Sequence, residues 1–120
     1  MLGLPLCGSA PQAPASVSVT QVLNTVAGVV TVLDNTVTWT PSPDEPPNGA
    51  RTVGLYVIER LPSGGTDWQV LFNQSATGAS SYTYQDFSLP TGTWQYGVAA
   101  QNCSQINSVV TKAGSTVTNP

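Results

Sequence analysis

Few groups in this chain can do chemistry. It has no histidine, three basic residues and six acidic ones. Without an imidazole there is no His-based triad, and no zinc cluster that mixes histidine with cysteine. Lys112 is the only lysine, and it lies in an alternating segment with no obvious acidic neighbour. A Lys–Asn isopeptide bond would have to use it, with Asn119 or an amide near Asn102 as partner by residue type alone. Such a bond also wants a buried carboxylate beside it, so it is set aside. Asp44 and Glu45 are adjacent in the loop "PSPDEPPNGAR". Paired catalytic carboxylates must flank a scissile bond, which sequence neighbours on a loop rarely do. They read as a solvated acidic loop, and a calcium site there would need further oxygen ligands. The expectation is a non-enzyme with no cofactor and no metal.

Charge excludes other classes. A net charge of −3 leaves no cluster of Lys and Arg for phosphates, so no nucleic acid is expected as partner. No polybasic segment faces an anionic lipid surface, and no apolar run approaches the ~20 residues of a membrane span. The sequons "NQS" at Asn73 and "NCS" at Asn102 matter only in a eukaryotic secretory setting. In "MLGLPLCGSAPQAPA", Leu4, Leu6 and Cys7 hint at a lipoprotein signal. Yet no positive region precedes them, Pro5 breaks the run, and Leu6 stands where a small residue belongs before the cysteine. Residues 1–13 therefore read as an extended arm on a protein made in a cytoplasm.

The elements that must position these groups are strands. At 120 residues the chain is one domain, able to bury about two-thirds of its unfolded surface. Val, Thr, Ser, Ala and Gly recur with a period of two between turn residues, and no helix of useful length or internal repeat is visible. "ASVSVTQV" puts Val17 and Val19 on one face. "GVVTVLDNTVTWTPS" reads as two strands meeting at Asp34-Asn35, with Val37 and Trp39 sharing a face. "TVGLYVIERL" carries Tyr56 and Ile58 on one face, Leu55 and Val57 on the other. "DWQVLF", "SYTYQDF", "TWQYGVAAQN" and "NSVVTKAGSTVT" complete the set. Between them lie the turns "LPSGG", "NQSATGAS" and "LPTG". In "TWQYGVAA", Trp94, Tyr96, Val98 and Ala100 share a face that tapers along the strand, as core packing requires. About seven short strands at this spacing predict an all-β fold, a two-sheet antiparallel β-sandwich spanning 14–120.

Trp39 in "VTWTPS", the run "YVIERLPSGGTDWQVL" and "DFSLPTGTWQYGVAAQN" together resemble a fibronectin type III domain, the immunoglobulin-like sandwich. Trp39, Tyr56, Ile58, Trp68, Leu89, Val98, Ala100 and Asn102 match that family's pattern in order, over roughly Pro14 to Asn119. With Trp94 and Tyr96 they form the expected core signature. There are two departures. Trp94 stands where the family's corner tyrosine usually is, which questions the hydroxyl-to-backbone bond of that corner. The segment Gln21 to Asp34 is longer than the usual first connection and is expected to add a strand.

The resemblance carries further expectations. It places the N-terminal arm and the end of the sixth strand at one pole, so Cys7 and Cys103 either form a bridge or remain two reduced thiols. A bridge would contribute up to about 4–5 kcal/mol in the chain-entropy treatment. It also implies a structural or interaction module. The first reading is a bacteriophage virion accessory subunit, on capsid or tail, exposed after assembly in a host cytoplasm. Its partners would be other protein subunits of a large assembly and a host surface glycan. Leu2, Leu4 and Leu6 of the arm, with Asp44, Glu45 and Asn48 in the polar loop, are the candidate partner-binding residues. The alternative is a module of a secreted adhesion or carbohydrate-active protein, extracellular or at a cell surface.

Overall fold

The computed structural model describes residues 8–45 and 53–120. Eight strands and no helix are present among them. β1 (Ser16–Val26), β2 (Val29–Thr40) and β5 (Tyr82–Asp86) form one sheet in the order β1-β2-β5. The second sheet has the order β4-β3-β6-β7, built from β3 (Val53–Pro62), β4 (Gln69–Ser75), β6 (Gly92–Asn102) and β7 (Thr111–Lys112). β8 (Val117–Asn119) pairs with the start of β6, so the last segment supplies two short strands where the sequence suggested one. All pairings are antiparallel.

The core follows from the period of two. Val17, Val37, Trp39 and Tyr82 come from the first sheet, and Tyr56, Ile58, Trp94, Tyr96, Val98 and Ala100 from the second. Three rings fill the pole where β2 ends. Trp39 stacks on Tyr82 at 5.5 Å, and Tyr56 meets Trp39 at 5.9 Å and Tyr82 at 5.1 Å. Such pairs add about 0.5–1.5 kcal/mol each beyond the area they bury. Leu89 is buried as well. Trp68, matched to the core pattern, has a different place. It is half-buried on the outer face of the second sheet, its ring edge 3.0 Å from where a Cβ on Gly97 would be. Val110 would meet the same Cβ at 2.4 Å, so only glycine fits beneath these two side chains.

β1 and β2 differ from expectation. The strand does not break at Asp34-Asn35, and Gln21 to Asp34 adds no separate strand. β1 and β2 instead form a single hairpin in register from Ser16↔Thr40 to Val26↔Val29. Its two-residue turn, Ala27-Gly28, has φ of 53° and 81°. This is the mirror-image turn whose twist suits flanking strands, and glycine takes it without cost while alanine does not. One residue, Leu33, is extra, because Val22 faces Asp34 while Leu23 faces Val32. β5 pairs with β2 only from Asn35 to Trp39. Beyond that point the hairpin continues as a bare two-stranded ribbon, roughly 17 Å long at ~3.4 Å per residue.

Candidate functional site

Asp44 and Glu45 are not solvated, as the sequence suggested, but buried. The Glu45 carboxylate accepts hydrogen bonds from the Tyr56 hydroxyl at 2.6 Å, the Tyr82 hydroxyl at 2.9 Å and the Gly78 amide at 3.0 Å. Tyr56 in turn accepts from the Ser42 amide at 2.9 Å, and Tyr82 from the Thr77 amide at 2.9 Å. Burial, reinforced by the Glu45 carboxylate, pushes the Tyr56 hydroxyl far above the ordinary tyrosine range. Asp44 accepts from the Gln12 amide at 2.8 Å, and Ser42 Oγ donates to the Gln12 carbonyl at 2.7 Å. The acidic pair thus fastens the N-terminal segment and two core tyrosines to the loop.

A second buried cluster joins the two sheets. Asp86 accepts from Arg60 Nη1 at 2.7 Å, the Tyr96 hydroxyl at 2.5 Å, and the Ser88 amide and hydroxyl, each at 3.1 Å. Burial alone would raise the Asp86 carboxyl. The bonds from Tyr96, Ser88 and Arg60 outweigh it and hold the group below the usual carboxylate range. Tyr96 is pushed well above its ordinary range by burial and by that same carboxylate. The Arg60 guanidinium lies 5.3 Å from the centre of the Trp94 ring. The corner bond questioned at Trp94 is made by a different donor. Its indole N–H reaches the Pro90 carbonyl at 3.1 Å, while the Tyr96 hydroxyl bonds a side chain. Neither Arg60 nor Asp86 stood out in the sequence, because they lie 26 residues apart and only the sandwich brings them together.

The other sequence candidates fall as follows. Leu2, Leu4, Leu6, Cys7 and Asn48 lie outside the described residues. Cys103 is disulfide-bonded. Asn102 is buried, its amide donating to the Ser9 carbonyl at 3.1 Å, whereas Asn73 is exposed. Lys112 lines an open groove of about 280 Å³ with Gln95 and Thr116. Asn119 donates to the Leu89 carbonyl at 2.8 Å instead. No group of three or more His, Cys, Asp or Glu suited to a metal ion occurs among the described residues.

One part of the surface is markedly apolar. On the ribbon, Leu23 is 51% exposed, Val26 63%, Val29 61% and Leu33 51%, with Val22 and Val30 also exposed. Alternation along β1 and the register with β2 put Leu23 and Val32, then Thr25 and Val30, on the side that carries Gln21 and Asn35 inside the sandwich. The core-facing stripe therefore runs on past the end of the sheet that should cover it. Val22, Val26 and Val29 make the opposite side apolar too. From Ser16 to Leu33 there is no charged residue and no proline. Strand-forming residues sustained over eleven and twelve positions without a proline, against the usual five or six, are the sequence signal for this feature.

Comparison with solved structures decides the fold. The twitchin kinase region from C. elegans (Fn31-NL-kin-CRD-Ig26) matches 92% of this chain with a TM-score of 0.60 and 18% identity. The solution structure of the fourth FNIII domain of a human protein matches 99% of it with a TM-score of 0.51 and 18% identity, over 89% of that domain. The fold is fibronectin type III-like. This chain spans only 17% of the twitchin region, so the likeness is to one module of that protein. No protein-family model and no curated protein matches the sequence.

Proposed function

We propose that this fibronectin type III-like chain is a non-enzymatic interaction module, a subunit of a larger protein assembly that it joins through the β1–β2 ribbon. The observation that carries this reading is the ribbon itself. The largest contiguous apolar patch on a soluble protein, a few hundred Å² in extent, is often a contact site. Here six of the nine exposed large aliphatic side chains among the described residues lie on one projecting element, while Asp44, Glu45 and Asp86 are buried and hydrogen-bonded inside the domain. Groups so engaged hold the fold together and are not poised for catalysis.

In its finer form the assembly is a bacteriophage particle, with this chain as an accessory subunit on capsid or tail. Purifying particles from an infected culture and identifying their proteins by mass spectrometry tests it. Recovery of this chain at a fixed ratio to a capsid or tail protein supports the reading, and its absence from intact particles overturns it. The disulfide at Cys103 favours a second reading, a module of a secreted adhesion or carbohydrate-active protein, since such bonds persist in oxidising surroundings. A glycosidase or adhesin sequence in the same reading frame would establish that one.

A further inference from the structure

We infer that the partner of the ribbon is a second copy of this chain, the two ribbons packing about a twofold axis. The inference rests on the interaction-module reading and names the first contact such a module makes. Three observations lead to it. First, a twofold contact sets a surface against itself, so a charge close to the axis would meet its own sign. Thr20 to Leu33 carries no charge at all, and the tip residues Val26, Ala27, Gly28 and Val29 are uncharged and small or aliphatic. A copy of the same element can therefore approach without repulsion.

Second, the edges are open. Natural edge strands are guarded by lysine, proline or inward charges. β1 has none of these, and its stretch Val22–Val26 pairs only with β2. The far edge of β2 is equally bare from Val29 to Asp34, because β5 stops at the Asn35↔Asp86 pair. Two antiparallel ribbons meeting about a twofold axis satisfy backbone groups on both copies with the same residues.

Third, the area sets the strength of the contact. The six exposed aliphatic side chains amount to some three fully exposed ones, spread over both faces of the ribbon. A copy paired along the open edge meets side chains of both faces and covers part of each. Full burial of one such side chain removes roughly 60–120 Å² from water at 25 cal/mol per Å². Each ribbon then offers at most about 300 Å², and a pair at most about 600 Å². With the apolar share of an interface near 60%, the total is at most about 1,000 Å², where specific contacts begin. Phe87, exposed directly after the end of β5, lies at the same pole and extends the patch. An interface no larger than this implies a weak, reversible dimer.

Sedimentation velocity of the full chain over a concentration series is the test, with Leu23→Lys/Val30→Lys as the comparison. Both side chains are exposed, so the variant keeps its thermal unfolding midpoint, which is measured alongside. The wild type should pass from monomer to dimer as concentration rises. The variant should dimerise about 100-fold more weakly or worse, the loss expected when two half-exposed aliphatic side chains on each of the two copies no longer find cover. A wild type that stays monomeric at every concentration overturns the inference, as does a dimer that persists unchanged in the variant. A higher oligomer that grows without limit also overturns it, because it would show open edge-to-edge addition. None of these results touches the assembly reading, which is decided separately by recovery of the chain from purified particles.

Discussion

Asp86→Asn isolates the cluster that joins the two sheets. The substitution keeps the shape of the side chain and removes its charge. Arg60, whose side chain is 11% exposed, then faces a neutral amide in a largely dry site. Breaking a buried ion pair from one side costs about 3–5 kcal/mol, because the remaining charge loses its partner without regaining water. The Tyr96 hydroxyl also loses a charged acceptor at 2.5 Å. A 120-residue domain has about 6–18 kcal/mol of stability in all, at 0.05–0.15 kcal/mol per residue, so at least about a sixth of it, and at the low end most of it, is at stake. At roughly 4 °C per kcal/mol for a domain of this size, the midpoint should fall by about 12–20 °C in a calorimetric or circular-dichroism melt. The triple variant Arg60→Met/Asp86→Leu/Tyr96→Phe removes both charges and the hydroxyl together and should regain much of the loss. A cost below about 1 kcal/mol for Asp86→Asn, the value typical of exposed pairs, would refute the argument that this site is dry. The pH profile offers an independent check. The folded-state carboxyl of Asp86 lies below its ordinary value of 3.8, so its contribution is present above that pH and disappears as the solution is acidified through the folded value. Asp86→Asn should flatten that part of the profile.

Four further outcomes are expected. Gly97→Ala places a methyl 2.4 Å from Val110 and 3.0 Å from Trp68, and should cost about 1–3 kcal/mol in denaturant titration, partly recovered by adding Val110→Ala. Glu59 is buried, and that burial raises its carboxyl above 4.5, so the folded state is penalised once the group ionises; Glu59→Gln should raise the unfolding midpoint at pH 7 and lose that advantage below pH 4.5. Ala27→Gly relieves the positive φ of 53° at the ribbon turn, and should increase amide-exchange protection of Val22–Val26 by about 1 kcal/mol without changing global unfolding. We further propose that Cys103 pairs with Cys7: the intact mass should lie two hydrogens below that of the reduced chain, and Cys7→Ser should abolish the difference and cost up to about 4–5 kcal/mol.

The sandwich was legible in the sequence because its signal is local. Alternation in "TWQYGVAA" is enough to bury Trp94, Tyr96, Val98 and Ala100 together, whatever lies across from them. The polar clusters were not legible, for the opposite reason. Two adjacent acids in a proline-rich loop look solvated until the hydroxyl donors arrive from 11 and 37 residues away. Glycine-poor, uncharged "VSVTQVLNTV" posed a subtler problem. Its apolar positions say that one face seeks cover, but whether the fold provides that cover depends on where β5 and β6 happen to end. The sequence pattern of a buried strand and that of a strand awaiting a partner are the same.

Leu33 gives the ribbon a property of its own. It is the one residue of the hairpin without a partner across from it, and the pairs on either side, Val22 with Asp34 and Leu23 with Val32, would be adjacent rungs if it were absent. A bulge of this kind bends and twists its strand. Losing a single codon there would straighten the ribbon while leaving every rung of the ladder and the whole sandwich interior as they are. Where the ribbon aims is thus uncoupled from what keeps the domain folded. Homologous chains can re-aim it in one genetic step, reaching a differently shaped neighbour without first having to rebuild a core.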